Sequence, residues 1–353
     1  MVTKLIKAAI VGYGRMGSGY GRDYNLLPKI WNPYSLREAI NLSPGMKLRA
    51  VCDLDPDAML DLPTDIERFT SYKLMIESLK PEFVAVTTRT QDRAEIAILA
   101  LENGTKMMHL EKPLCSSKIE ISNLKNLFSK HEAEFTYGTI RRYLAPYRFV
   151  KKQVKSGEFG NITKIVVNYG KEGLFWTHPH SIDLILYFVG EYKEMRIIEI
   201  SGDRPEIEVV GEEITVITDP ILNSAKMVFD ELIFAEITSE PTSTISIFCG
   251  KTEFHIVEDG RLVLQVEENG SEKIVWAEKD ESAPAGYASV LGVLSNSSPD
   301  SQDSNIKIAM EDAFKGQILL FDMCLKLAAH NLKGVELTEK VRFLGKAING
   351  LFA

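Results

Sequence analysis

The sequence predicts an α/β domain built on a parallel sheet, followed by an α+β domain whose sheet is open and mainly antiparallel. Three observations carry this prediction. As far as about residue 140, short apolar runs alternate with amphipathic segments, the pattern of parallel strands joined by helices. Beyond about residue 160, strand-like runs follow one another across Gly, Pro, Asp and Asn turns. Several alternate apolar and polar residues, as strands with one wet face do. The length of 353 residues also exceeds one ordinary core, so two domains are expected, at 1–140 and 141–353.

The elements read in order as follows. Ala8, Ala9, Ile10 and Val11, stopped by Gly12, form a short run expected of a strand buried on both faces. Residues 48–52 and 83–86 read the same way. Residues 65–79 have amphipathic helical spacing that stops before Pro81, and 92–102 read as a helix ended by Asn103 and Gly104. Residues 107–110 are a fourth strand, 116–131 a helix and 134–137 a further strand. In the second half, strands are predicted at 162–169, 196–200, 214–217, 245–248, 253–257 and 262–266. Residues 282–305, rich in Ser, Pro, Gly and Asn, read as loop, and 306–332 as a long helix.

Composition removes several functional classes. Hydrophobic residues make up 45% and charged residues 25%, a globular balance. No run approaches the ~18 apolar residues that span a bilayer, and Gly12 and Gly14 interrupt the first apolar run too early for a secretory signal. The net charge of −8 comes without a basic stripe to track phosphates, which excludes nucleic acid as the expected partner. Cys52, Cys115, Cys249 and Cys324 have neither paired nor metal-type spacing. A reduced, cytoplasmic protein without a metal site is expected.

The most informative local pattern is Gly12-x-Gly14-x-x-Gly17, between the first strand and a helix. The first glycine permits a tight turn, the second lets backbone approach a pyrophosphate, and the third allows close helix packing. Asp53 stands at the end of the second strand, where a carboxylate accepts hydrogen bonds from both adenosine ribose hydroxyls and repels a 2′-phosphate. A Rossmann domain binding NAD rather than NADP follows. Asp53 lies 36 positions after Gly17, against the ~20 usual for this fold. The excess falls in residues 24–45, which read as an insertion.

Glu111-Lys112-Pro113 follows the fourth strand, so Lys112 sits at the carboxyl edge of the sheet, where such folds bind ligands. Together with the glycine pattern and Asp53, this piece resembles the glucose–fructose oxidoreductase/inositol dehydrogenase/MocA family. Further pieces in the family's order extend the resemblance over nearly the whole chain. They are Arg141-Arg142-Tyr143, then Ser156-Gly157-Glu158-Phe159-Gly160, then His180-Ser181-Ile182-Asp183 opening a helix that ends at Gly190. The resemblance implies that Lys112 orients the reacting hydroxyl and stabilises a developing alkoxide. It implies too that the residue at His180 exchanges the hydroxyl proton, a task suited to a base that titrates near neutrality. Asp183, three residues later on the same helix face, is expected to orient the imidazole. Arg15, Met16, Thr88 and Glu111 are further candidate cofactor contacts, and Arg142, Tyr143, Trp176 and His178 candidate substrate contacts. The blander readings are a surface lysine at 112, a capping or buried histidine at 180 and at 178, and a solvated or salt-bridged Asp183.

Two departures from the family pattern stand out. Trp176 occupies the position four before the histidine where many members have an aspartate, leaving His178 as a possible substitute. After the third strand, where the family often has Thr-Pro followed by a histidine, the chain has Thr88-Arg89 and then Arg93. With Arg141 and Arg142, these arginines raise the prospect of a cationic pocket. The expected function is NAD-dependent oxidation or reduction of a secondary alcohol or ketone on a sugar or sugar derivative, with a carboxylated or phosphorylated one preferred because of the arginines. The expected assembly is a homodimer or homotetramer through the C-terminal sheet. The alternatives are a lyase or hydrolase that oxidises transiently with held NAD, and a non-catalytic NAD or sugar sensor.

Overall fold

A computed structural model describes residues 5–19, 27–211, 213–279, 286–294, 306–329 and 341–346. It divides into two compact units. One comprises Met1–Leu27, Trp31–Ile140 and Pro284–Phe314, and the other Pro28–Ile30, Arg141–Ala283 and Lys315–Ala353. The chain therefore returns to the first unit after residue 283, whereas the sequence reading kept everything beyond residue 140 in the second.

The first unit holds six strands, β1 (Ile6–Val11), β2 (Met46–Cys52), β3 (Glu67–Phe69), β4 (Phe83–Val86), β5 (Met107–Leu110) and β6 (Glu134–Tyr137). They lie in the order β3-β2-β1-β4-β5-β6, every pair parallel. The helices are α1 (Arg15–Ser18), α2 (Leu36–Leu42), α3 (Tyr72–Leu79), α4 (Thr90–Glu102) and α5 (Lys118–Lys130). Strand order reverses between β1 and β4, and it is outside the carboxyl ends of strands at such a switch point that ligands of open parallel sheets bind. The helix expected over 65–79 is only partly one. Glu67, Arg68 and Phe69 pair with Ala50, Val51 and Cys52 as a sheet strand. The helix begins after Ser71, whose hydroxyl accepts from the Leu74 N–H at 3.4 Å. Strand pairing overrides the local helical period there.

The second unit begins with α6 (Ala145–Lys155) and contains a nine-stranded sheet and a three-stranded one. The strands are β7 (Ile162–Asn168), β8 (Glu172–Gly173), β9 (Met195–Gly202), β10 (Ile207–Val210), β11 (Glu213–Thr218), β12 (Ile221–Phe229), β13 (Ile233–Thr238), β14 (Thr244–Cys249), β15 (Thr252–Val257), β16 (Leu262–Glu267), β17 (Glu272–Ala277) and β18 (Val341–Lys346), with α7 (His178–Val189) between β8 and β9. The large sheet runs β17-β16-β15-β14-β7-β13-β12-β8, and β9 also pairs with β12. The β7–β13 pair is parallel and the others in this sheet are antiparallel. Cross-strand rows explain the alternation. Ile237, Val167, Ile245, Ile256 and Val263 stand side by side and are fully buried. The row on the opposite face, Glu236, Val166, Ser246, His255, Leu264 and Ile274, is more open, and Ile274 is 62% exposed.

Two helices complete the chain, α8 (Gly286–Leu294) and α9 (Ile306–Ala328). The first lies inside the predicted loop. Its Tyr287, Val290, Leu291, Val293 and Leu294 are buried, so apolar content outweighed the flanking Ser, Pro and Gly that suggested a loop. For α9 the structure gives an end at Ala328, and residues 330–332 of the predicted span lie outside the described residues. Among the described residues no helix is long and apolar enough to cross a membrane. All four cysteines are buried and unpaired.

Candidate active site

The glycine turn between β1 and α1 divides its work among three residues. Gly12 has φ +90, and a Cβ there would lie 2.8 Å from Thr87 C and Thr88 N. A Cβ on Gly17 would collide with the Gly12 carbonyl, so these two glycines exist for close packing. Gly14 differs: among the described residues a Cβ on it meets nothing within 4 Å. Its backbone therefore faces open space, as a pyrophosphate requires. Arg15 is exposed and Met16 half-buried beside it. Asp53 closes the turn from β2. One carboxylate oxygen accepts from the Tyr13 N–H at 2.6 Å and the other from the Asp55 N–H at 3.0 Å. A carboxylate has about four acceptor sites, so capacity remains on both oxygens for ribose hydroxyls. These residues fit a dinucleotide.

The corner after β5 is built on a buried carboxylate. Glu111 is 4% exposed. Its Oε1 accepts from the Tyr287 hydroxyl at 2.6 Å and lies 3.4 Å from His109 Nε2. Its Oε2 accepts from the Lys112 backbone N–H at 3.3 Å. Burial alone would push this carboxyl up, but hydrogen bonding and charge from His109, with the Tyr287 hydroxyl, hold it down at about 2. The Glu111 side chain thus faces inward, and as a cofactor contact it is corrected to a support for the backbone. Lys112 is half-buried and precedes Pro113 across a cis peptide bond. Arg93 is 3% exposed and donates to the carbonyls of Pro113 and Thr88. Burial lowers its guanidinium to about 10, against the opposing charge of Glu111. Arg93 therefore ties the end of β4 to the Lys112 corner from within. Thr88 is half-buried, and its hydroxyl donates to the Arg89 carbonyl at 3.2 Å.

In the second unit, α7 opens at His178 and ends before Gly190, two residues earlier than expected at its start. Asp219, which the sequence reading missed, fixes the approach. Its two oxygens accept from the Phe175 N–H at 2.9 Å and the Trp176 N–H at 3.0 Å. Trp176 is 42% exposed and His180 half-buried. Asp183, expected to orient His180, is held in the structure by a guanidinium. Both of its oxygens are engaged by Arg142, at 2.9 Å from Nε and 2.8 Å from Nη2. A forked guanidinium against a carboxylate is the strongest pairing on offer in a buried site. Arg142 is 6% and Tyr143 2% exposed, so neither presents more than a margin to solvent. Arg141 pairs likewise with Asp259, at 2.7 and 3.0 Å, and stacks on Tyr169. Arg93, Arg141 and Arg142 are so engaged, which leaves the exposed Arg89 of the four arginines behind the expected cationic pocket.

His178 is fully buried. Its Nδ1 lies 3.1 Å from the Ser181 hydroxyl, and among the described residues its Nε2 has no hydrogen-bond partner. Expected as a substrate contact, it is enclosed in the first turn of α7. Burial lowers its pKa to about 4, against ~6.5 in an unfolded chain. Between these values the unfolded chain binds the extra proton, so stability falls as pH drops through this window and holds above it. We expect His178 to cost about 2 kcal/mol between pH 7 and pH 5. Urea midpoints at the two pH values for the wild type and His178→Gln measure this. Equal losses in both would assign the acid sensitivity elsewhere. Among the described residues no three His, Cys, Asp or Glu side chains gather to hold a metal ion.

Comparison with known proteins agrees with this geometry. Residues 6–139 match the family described as "Oxidoreductase family, NAD-binding Rossmann fold", that of glucose–fructose oxidoreductase, inositol dehydrogenase and MocA. Residues 6–139 thus match the NAD-binding Rossmann fold of an oxidoreductase family. No curated protein matches the sequence. Among solved structures, a dehydrogenase from Chromobacterium violaceum is similar at a TM-score of 0.71 and 16% identity, over 94% of this chain and 97% of that one. An inositol dehydrogenase homolog from Azotobacter vinelandii, complexed with NADH and myo-inositol, gives 0.68 and 14% over 93% and 96%. A 3-ketoreductase from Actinomadura kijaniata, in complex with TDP-benzene and NADP, gives 0.63 and 14% over 90% and 96%. At these identities the likeness is one of fold.

Proposed function

We propose that the protein is an NAD-dependent oxidoreductase acting on a secondary alcohol or ketone of a neutral sugar or polyol. The observation that carries this reading is the glycine turn at the strand switch point, open at Gly14 and braced by Asp53. The nicotinamide, when bound, supplies the hydride acceptor or donor. Gly12, Gly14, Arg15, Met16 and Gly17 hold the diphosphate end, Asp53 the ribose, and Thr88 and the Glu111 backbone the nicotinamide end. Lys112 hydrogen-bonds the reacting oxygen and stabilises its negative charge, and His180 exchanges its proton. Trp176 offers an exposed ring for stacking on a sugar face. A neutral substrate is preferred over an anionic one because Arg93, Arg141 and Arg142 are committed within the protein. The inositol dehydrogenase homolog bound to NADH and myo-inositol supports this reading, and a panel of neutral and acidic sugars assayed for NADH formation tests it. Assembly as a dimer or tetramer uses the outer face of the large sheet, where Phe234 is 50% exposed, and sedimentation equilibrium tests the size.

Cofactor choice follows from Asp53. NAD should bind at least tenfold more tightly than NADP, a difference of roughly 1.4 kcal/mol. Calorimetric titration with each decides it, and equal or tighter NADP binding would remove Asp53 from this role. The sensor reading draws on Trp176 in the place of an acid. It requires NAD binding with no hydride transfer to or from any member of the panel.

A further inference from the structure

The inserted segment at 24–45 and the unexpected helix α8 have no part in the reading above, yet they meet beside the Lys112 corner. All the groups concerned belong to the first unit. Gly286 opens α8 with no room for a side chain, because a Cβ would collide with the carbonyls of Trp31 and Pro33. The next N–H, that of Tyr287, donates to the Pro33 carbonyl at 3.2 Å. α2, which lies in the insertion, packs against α8. Tyr287 is thereby seated against the backbone of Trp31 and Pro33, and it is 1% exposed. Its ring stands edge-on to His109, with centroids 5.4 Å apart, and its hydroxyl donates to Glu111 Oε1 at 2.6 Å. The other oxygen of the same carboxylate accepts from the Lys112 N–H. Gly138 completes the enclosure, since a Cβ there would strike Glu111 Oε2.

We propose that Tyr287 is a positioning residue for Lys112, acting through the Glu111 carboxylate, and that Trp31 and Pro33 within the 24–45 segment supply its seat. This rests on the reading of Lys112 as the group that meets the reacting oxygen. The physical argument is one of fixed geometry. Without the 2.6 Å Tyr287 donor, Oε1 keeps only the long 3.4 Å contact to His109 and the carboxylate can pivot, whereas one held firmly at both oxygens fixes the plane of the backbone that follows. A misplacement of ~1 Å at a reacting centre costs up to ~10²-fold in rate. A buried carboxylate that loses a donor also becomes easier to protonate, which loosens its hold on the Lys112 N–H.

The test uses Tyr287→Phe, which keeps the ring and removes the donor. Lysines of the apo protein are reductively methylated with ¹³C, and the Lys112 resonance is assigned by its loss in Lys112→Arg. In Tyr287→Phe that resonance should shift or broaden, while that of Lys125, paired with Glu311 at 2.8 Å, should stay in place. With a substrate from the sugar panel, kcat should fall ~10-fold or more, with the KM for NAD nearly unchanged and the melting temperature lower by only a few degrees. Glu111→Gln should move the same resonance, which keeps the test alive if Tyr287→Phe fails to fold. An unmoved Lys112 resonance in the folded variants overturns the proposal. Full turnover in Lys112→Ala would instead overturn the role of Lys112 itself, leaving the resonance result to be read separately.

Discussion

Replacing Lys112 by alanine should lower turnover by ~10²-fold or more, the scale for removing a preorganised contact to developing charge. The structure explains why this substitution isolates the chemistry. The corner that carries Lys112 is held by groups other than its side chain. Glu111 accepts from the Lys112 backbone N–H, Tyr287 anchors Glu111, and Arg93 clamps the carbonyls of Pro113 and Thr88. All of these survive the truncation. Gly12, Gly14 and Gly17 lie at another turn of the same unit, so the NAD affinity measured by titration should change far less than kcat. Lys112 is half-buried, and partial exclusion from water strengthens the attraction of an ammonium for an alkoxide. Steady-state kinetics at saturating NAD, with a melting curve as the folding control, provide the measurement. A folded variant with near wild-type turnover would make Lys112 a bystander.

What the sequence made legible was local in nature. The glycine turn was readable because three glycines at fixed spacing follow an apolar run, and the structure gives each the environment its position requires. The alternation of strands and helices up to Tyr137 was readable because parallel strands are apolar throughout. What stayed hidden depends on partners far along the chain. Asp219 is 43 residues from Trp176, Asp183 is 41 from Arg142, and Tyr287 is 176 from Glu111. No period or spacing announces such pairs. Arg93, Arg141 and Arg142 read in sequence as charges awaiting a ligand, and the fold spends them on its own carbonyls and carboxylates. The strand at Glu67–Phe69 was hidden for a related reason, since its period is helical and only pairing with β2 makes it a strand.

Asp183 and His180 stand three residues apart on α7, and substitutions at the two are expected to read out differently. Asp183 is 4% exposed and paired at both oxygens with Arg142, itself 6% exposed. Removing one partner of a buried pair leaves an uncompensated charge and costs about 3–5 kcal/mol. Asp183→Asn should therefore lower the melting temperature by roughly 10 °C, at ~2–4 °C per kcal/mol for a large domain. Adding Arg142→Met should recover part of that loss, because the stranded charge goes with it. His180 is half-buried at the start of the same helix. His180→Ala should melt close to the wild type yet lose most activity, together with the rise of oxidation rate with pH expected of a histidine base. The two readouts divide in opposite senses, stability for Asp183 and rate for His180. If Asp183→Asn melts like the wild type and shifts only the pH–rate profile, the carboxylate is the partner of His180, and the Arg142 pair contributes little to holding the unit together.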